Sequence, residues 1–191
     1  MPIRRSNGRG SRALAAGMLF LLASAARAET RLVLPGVARA AGVGGSRFES
    51  VLCLHSPSAG RVPVGVTRVS SAGPSGPVRV SLAPRETRRV EDPVASLFGL
   101  ESAAGSLSAT AARAFLLRGV TANVSDPRGT FGLALPSVRR DDALRPGETG
   151  TVPWLTHTAA PGSGFRTNVA VALLEPGSEA RVTVLDDAGL V

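Results

Sequence analysis

The sequence predicts an all-β fold: an antiparallel β-sandwich, either immunoglobulin-like or built from two related half-sandwiches, with one short helix. Gly and Pro residues, 22 and 14 in number, interrupt the chain at short intervals after residue 28. Between them lie short segments rich in Val, Leu, Thr and Ser, several of which alternate apolar and polar residues. Such segments are typical of sandwiches and barrels, because each strand then has one face for the core and one for water.

Alternation is clearest in four predicted strands, at residues 62–69, 78–82, 114–124 and 181–185. In the first of these, Val62, Val64 and Val66 share one face, because successive side chains of a strand point to opposite sides. Pro63 has no N–H to donate to a neighbouring strand. The first strand is therefore predicted to lie at a sheet edge or to be bulged at the proline.

Three turns are expected from Gly and Pro placement. Residues 71–77, Ser-Ala-Gly-Pro-Ser-Gly-Pro, are predicted to form a hairpin loop. Residues 126–129, with Pro second and Gly fourth, suit a type I turn. Residues 145–148 place Pro146 before Gly147 and suit a type II turn, whose third residue needs a positive φ.

The short helix is predicted directly after Asp92. Asp92 is a capping residue, Pro93 fits the first helical position, and Gly99 is expected to end the helix. Residues 107–113 are rich in Ala and form a second helix candidate. Ser and Thr residues alternate with apolar neighbours there, which favours a strand.

The first 28 residues are typical of a secretory signal peptide. Four arginines and no acidic residue precede an apolar run, which ends in the small-x-small pattern Ala26-Arg27-Ala28. Signal peptidases cleave after this pattern, so the mature chain is predicted to begin at Glu29. An N-terminal arginine pair also suggests twin-arginine export, and an uncleaved anchor is the alternative. We expect a secreted or periplasmic protein without a membrane span after signal removal.

The charge balance changes when the signal peptide is removed. Five of the 22 basic residues lie in the signal peptide, so 17 basic residues face 14 acidic ones and the mature net charge is +3. Every basic residue is Arg, and Lys is absent, which indicates a GC-rich genome. Nucleic-acid footprints cluster basic residues on one face, usually with stacking aromatics. The arginines here are scattered, so no nucleic-acid partner is expected.

Two segments of the mature chain resemble each other. Each has a Phe, an alternating strand, a turn rich in Pro, Gly and Ser, and an Arg-Val-x-Val strand; the first spans residues 48–64 and the second 165–184. We call these the first and second copies. They predict two equivalent hairpins. The predicted organisation is a signal peptide at residues 1–28 and a sandwich domain at 29–191, with related halves at 29–100 and 101–191 and the second half truncated. An open sheet edge is expected near residues 181–185.

Cys53 is the only cysteine, so no disulfide within the chain can form. It lies in the apolar run Val-Leu-Cys-Leu that ends at residue 54. A free cysteine in such a run is predicted to be buried and inert. An intermolecular disulfide or a reactive thiol is the alternative.

The sequence predicts no catalytic residue, metal site or cofactor. The histidines, His55 and His157, are expected to be strand-end side chains, and with Cys53 they supply three zinc ligands only if distant strands meet. The acidic pairs, at residues 91–92, 141–142 and 186–187, lack the alternate spacing of a calcium loop. No nucleophile elbow of the G-x-S-x-G type occurs.

Several sequence blocks resemble those of a group of secreted bacterial β-sandwich modules. They are Leu34-Pro35-Gly36-Val37-Ala38, Phe48-x-Ser50, Val94-x-x-Leu97-Phe98-Gly99, Gly129-Thr130-Phe131-Gly132 with Leu135-Pro136, and Phe165-Arg166-Thr167-Asn168. In those modules, blocks of the form F-x-[ST]-x-[VL] and G-T-F-G recur in this order. The resemblance covers residues 32–190. It implies an extracellular sandwich, often appended to larger surface proteins, and implies no activity.

These observations favour an exported, non-enzymatic module with a structural or protein-interaction role. The expected mode is self-association or partner binding through an open sheet edge. The alternative is a carbohydrate-binding module of the cell surface or periplasm. In that alternative Trp154, the only Trp, would be the platform that stacks on a sugar face.

Overall fold

The computed structural model describes residues 29–126, 131–153, 155, 169–175 and 177–185. The strands in these ranges, in chain order, are β1 (Thr30–Ala41), β2 (Arg47–His55), β3 (Val62–Ser70), β4 (Gly73–Leu82), β5 (Thr87–Glu91), β6 (Ala103–Ala111), β7 (Leu116–Asn123), β8 (Phe131–Pro136) and β9 (Val138–Arg139). One short helix, α1 (Pro93–Ser96), follows β5. Single 3-10 turns lie at Val43–Gly45 and Arg140–Asp142. No helix among the described residues is long and apolar enough to cross a membrane.

The strands form an antiparallel β-sandwich, as the sequence predicts. They pair in the order β4-β3-β6-β1-β2-β7-β8, with β5 added to β2 and β9 added to β1. The first layer is β4-β3-β6-β1 and the second is β5-β2-β7-β8. Strands from residues 29–100 and 101–191 interleave, since β6 pairs with both β1 and β3. Both segments therefore contribute to one sandwich.

Strand β1 connects the two layers. Its register with β6 shifts between Leu34 and Val37, at Pro35-Gly36. After this bulge, residues 39–41 pair with β2 of the second layer. Near its start, β1 pairs with β9, which follows β8 after a single residue. Strand β1 thus joins both layers by backbone pairing, through β9 near its start and through β2 near its end. Among the described residues, β4, β5 and β8 each pair with a single strand.

The core consists of the inward-facing residues of both layers. Its fully buried members include Leu34, Leu52, Leu54, Val62, Val64, Leu82 and Leu107. Helix α1 adds Val94, which is also fully buried. Burying one such aliphatic side chain contributes about 1.5–3 kcal/mol, so these residues hold the layers together.

Strand β3 confirms the predicted alternation. Val62, Val64 and Val66 are all buried. Pro63 faces Ser81 of β4, whereas the pairing of β3 with β6 begins only at Gly65. The prediction of an edge strand, or of a bulge at the proline, was wrong, because β3 lies between β4 and β6 and its register with β4 shifts only between Val66 and Arg68. Pro63 itself lies where β3 has one neighbour, and such a position tolerates a residue without an N–H. The strand predicted over residues 107–113 is also confirmed, as β6.

The predicted helix start and one predicted turn are confirmed. The Asp92 side chain accepts a hydrogen bond from the Ala95 N–H at 3.2 Å, and Pro93 is the first helical residue. Gly99, with φ of +66°, ends this segment. Gly147 has φ of +86°, and the Glu148 N–H donates to the Arg145 carbonyl at 3.0 Å, as a type II turn requires. Residues 127–129 of the predicted type I turn lie outside the described residues.

Two local predictions were wrong. The loop expected at residues 71–77 is only a two-residue turn, because β4 begins at Gly73 and its prolines lie within the strand. The first copy is not a hairpin: β2 pairs with β1, β5 and β7, whereas β3 pairs with β4 and β6. The turn between β2 and β3 carries the chain from one layer to the other, so their apolar faces meet across the core.

The predicted strand at residues 181–185 was also wrong. The described residues of 169–185 contain no strand, and most of their large apolar side chains are exposed. Alternation alone does not form a strand, because the backbone also needs a neighbour to pair with. No such neighbour exists among the described residues, so the open edge expected there is not formed by this segment.

Candidate functional site

A groove of about 790 Å³ lies on the outer face of the second layer. Its floor is built from outward-facing residues of three strands, because odd-numbered β2 residues and even-numbered β7 and β8 residues point away from the core. Val51 of β2 lies opposite Val120 of β7, which lies opposite Ala134 of β8. The floor is therefore apolar and crosses the layer to β8.

Charged side chains flank this apolar floor. Glu49, Glu91, Arg89 and Arg118 all line the groove. Arg89 and Glu91 form an ion pair, and this hydrogen-bonded carboxylate raises the pKa of the Arg89 guanidinium. Arg118 forms no ion pair within the described part of the chain. None of the described lining residues is aromatic, so none of them offers a stacking platform.

The groove ends at β8, which is an open edge of the sheet. Among the described residues, β8 pairs only with β7. Its six residues, Phe-Gly-Leu-Ala-Leu-Pro, include no charged side chain. Leu133 is 59% exposed, although it lies on the core-facing side with Leu135, which packs against the core. The opposite layer therefore does not cover this end of the strand.

The other two long edge strands are protected against further pairing. β4 contains Pro74 and Pro77, which cannot donate backbone hydrogen bonds. β5 contains Arg88, Arg89 and Glu91 among its five residues. Proline and charge are the usual devices that keep an edge strand from pairing with another chain. Strand β8 has only a terminal Pro136, so it is the edge that can accept a strand.

A second exposed apolar feature is the C-terminal segment, residues 169–185. Val169, Val171 and Leu173 alternate with Ala, and Val182 and Val184 alternate with Arg and Thr. All five valine and leucine side chains are close to half exposed or more. An exposed ion pair joins Glu175 of this segment to Arg140 of the second 3-10 turn.

No family model and no curated protein matches this chain. Among solved structures, it is similar to the crystal structure of Thermotoga maritima 1070, with 11% sequence identity and a TM-score of 0.47. The similarity covers 57% of this chain and 92% of the other.

Cys53 is exposed, so the prediction of a buried thiol was wrong. Leu52 and Leu54 occupy the core face of β2, and Cys53 between them must point outward. Its neighbours on the adjacent strands are Arg89 of β5 and Arg118 of β7. The thiol thus lies in the groove.

The other titratable candidates lie apart and have local partners. His55 ends β2, and its Nδ1 lies 2.8 Å from the Thr87 hydroxyl, in agreement with a strand-end role. Asp92 pairs with Arg39, besides capping α1. Asp141 and Asp142 lie in a 3-10 turn. No cluster of three or more metal-ligating side chains occurs among the described residues.

Several sequence-predicted residues lie outside the described ranges. They are Ala26 and Ala28 of the cleavage site, Trp154, His157 and the acidic pair at residues 186–187. Glu29, the predicted first mature residue, is exposed and pairs with Arg31 at 2.6 Å.

The sequence analysis missed the β8 edge. Residues 131–136 were noted only as part of a block that resembles the secreted modules, and no strand was predicted there. Strands β1 and β5 were not predicted either. An available signal was the short uncharged run between Gly129 and Pro136, which has the length and boundaries of a strand. Its position at an edge follows only from the pairing order.

Proposed function

We propose that this protein is an exported, non-enzymatic β-sandwich module that binds another polypeptide by strand addition at the β8 edge. The supporting observation is that β8 combines an uncharged sequence, an exposed core-facing Leu133 and an edge that no described strand pairs with. An added strand gains backbone hydrogen bonds along β8, and its alternate side chains cover apolar surface. These two contributions give affinity without a deep pocket.

The groove extends the same binding surface. An added strand continues the second layer beyond β8, so its outward side chains lie next to Ala134 and Pro136 at the groove's end. The charged residues at the groove rim then bias which sequences bind, because unlike charges attract and like charges repel across a contact.

Strand addition is tested with an extended peptide of alternating Thr and Val residues and the mature chain at low concentration. Amide hydrogen exchange is measured with and without the peptide. We expect slower exchange in β8, centred on Leu133 and Leu135, and weaker binding by Leu133→Asp. The matched control is Leu116→Asp in β7, because Leu116 is 61% exposed like Leu133 at 59% and does not lie on the β8 edge. Slower exchange in β4 or β5 instead, or no change in β8, would contradict the proposal.

Export rests on the N-terminal sequence. Expression in a bacterium with an intact secretion system should give periplasmic protein whose N-terminal residue is Glu29, read by mass spectrometry. Ala28→Pro is expected to block cleavage, since the peptidase needs a small residue there. Protein retained in the cytoplasm with residues 1–28 attached would contradict export.

The carbohydrate alternative has less support. It depends on Trp154, which lies outside the described residues, and the groove has no described aromatic side chain on which a sugar could stack. The observations on β8 favour a polypeptide.

A further inference from the structure

The two sequence copies have opposite burial. In the first copy, Val62 and Val64 of the Arg-Val-x-Val strand are 0% exposed in the core. At the matching positions of the second copy, Val182 and Val184 are 60% and 63% exposed. Equivalent strand sequences normally bury one face, since an alternating apolar face is stabilised only when it leaves water. The second copy therefore has the pattern of a sheet strand without a sheet.

We propose that residues 181–185 of one chain add as a strand to the β8 edge of a second copy of this chain. This inference rests on the proposed function and names the polypeptide that β8 binds. The segment 181–185 is referred to below as the donor segment.

The donor segment and β8 match in length and polarity. The donor segment has five residues and β8 has six. After Arg181 the donor segment reads Val-Thr-Val-Leu, so both partners present an uncharged stretch. Pairing can place Val182 and Val184 on the side of Leu133, where they cover a leucine that the opposite layer leaves exposed. It also satisfies backbone groups on both strands.

A second molecule of this chain is the expected partner because a single molecule has two strand-like edges without a described pairing partner. The donor segment and β8 belong to the same molecule, and Glu175, six residues before the donor segment, contacts Arg140 shortly after β8. Even so, neither of them has a pairing partner on its free side within the described part of a single chain. Two chains can satisfy both edges at once by reciprocal exchange, which is the self-complementary contact of a two-fold dimer. Each dimer then contains two identical donor-to-β8 contacts.

The test uses the mature chain, residues 29–191, and four variants in sedimentation velocity over a wide concentration range. Val184→Asp disables the donor segment, and Leu133→Asp disables the edge. The control for Val184→Asp is Val152→Asp, because both valines are 63% exposed. The control for Leu133→Asp is Leu116→Asp, because these leucines are 59% and 61% exposed. We expect the parent and both controls to dimerise, and Val184→Asp and Leu133→Asp each to weaken dimerisation at least tenfold.

Mixing the two disabled variants gives a sharper readout. The Leu133→Asp chain keeps an intact donor segment, and the Val184→Asp chain keeps an intact edge. We expect an equimolar mixture to form heterodimers through one contact, at concentrations where each variant alone is monomeric. Urea unfolding of each variant identifies any that fails to fold, and Val184→Ser and Leu133→Thr then replace it.

The outcomes separate this inference from the proposed function. If Leu133→Asp loses both the alternating peptide and dimerisation while Val184→Asp dimerises normally, strand addition holds and the donor segment is wrong. A parent chain that stays monomeric at every concentration overturns the donor inference, including the case in which its own tail covers β8. If neither variant differs from its control in dimerisation or in peptide binding, both proposals fail.

Discussion

The Ser50 hydroxyl accepts a hydrogen bond from the backbone N–H of Ala38 at 2.8 Å. Ala38 lies directly after the β1 bulge and directly before the residues that pair with β2. The same hydroxyl lies 2.6 Å from the Thr121 hydroxyl of β7. A buried side chain of β2 thus takes the place of a backbone acceptor at the point where β1 passes from one layer to the other.

Replacing Ser50 with Ala should destabilise the fold by about 1–3 kcal/mol, because it leaves the Ala38 N–H without a partner in a buried region. Thr121→Val should cost less, since the bond from Ala38 to Ser50 remains. Urea unfolding monitored by circular dichroism measures both. The control is Ser81→Ala, whose hydroxyl accepts only an exposed bond from Arg61 at 3.3 Å. Equal effects at residues 50 and 81 would contradict the role given to Ser50.

Gly119→Ala should be destabilising because β1 and β7 approach closely across the core. A Cβ atom at residue 119 would lie 2.6 Å from Cδ2 of Leu34, a fully buried side chain. Overpacking of this kind typically costs about 1–3 kcal/mol. Gly65→Ala is the matched control, because its Cβ would meet no atom closer than 3.5 Å. Thermal unfolding should show a lower Tm for the first variant only.

Acid should weaken the turn between β4 and β5. The Ala83 N–H donates to Glu86 at 2.5 Å and Arg88 donates at 2.9 Å, and these bonds lower the pKa of the Glu86 carboxyl. A carboxyl with a lowered folded-state pKa stabilises the fold above its unfolded pKa, about 4.3, and loses that contribution as the pH falls through the folded pKa.

The difference in unfolding free energy between the parent and Glu86→Gln should therefore be largest near neutral pH and shrink below about pH 4. Denaturant midpoints at several pH values measure it. Glu101→Gln is the control, since the Glu101 carboxylate forms no hydrogen bond within the described part of the chain. A difference that grows on acidification would have the wrong sign for this explanation.

Cys53 should react with a thiol reagent in the native protein. Its side chain is exposed in the groove beside Arg89 and Arg118, so an anionic reagent can reach the thiol and is attracted by the two guanidinium groups. One equivalent of Ellman's reagent should be consumed without denaturant, and none by Cys53→Ser. If Cys53 reacts only after unfolding, its thiol is buried in the native protein, as its apolar neighbours in the sequence suggest, and this prediction is wrong.

Arg118→Glu should slow that reaction without changing the fold, because it replaces an attractive charge for the anionic reagent with a repulsive one. The rate difference should shrink with added salt, since exposed charges are screened over about 10 Å at 0.1 M. Arg79→Glu on β4 is the control, and it should leave the rate unchanged.

Local sequence patterns correctly predicted the elements whose conformation depends mainly on neighbouring residues in the chain. Alternation placed Val62, Val64 and Val66 in the core, and the Asp92-Pro93 pair started the helix, because side-chain direction and capping are set within a few residues. The same alternation failed at residues 181–185, where the local signal is as good but a pairing strand is missing. Cys53 was misjudged because an apolar run does not show which face of its strand is buried.

The sequence by itself determined that the protein is an antiparallel sandwich, where many of its strands and turns lie, and which valines form the core face of β3. Only the tertiary structure decided which strands are neighbours, since pairing joins residues far apart in the chain. That decision placed β2 and β3 in opposite layers, turned the Cys53 thiol outward and left β8 as an uncharged edge. The candidate binding site arises from these long-range pairings, which no short stretch of sequence encodes.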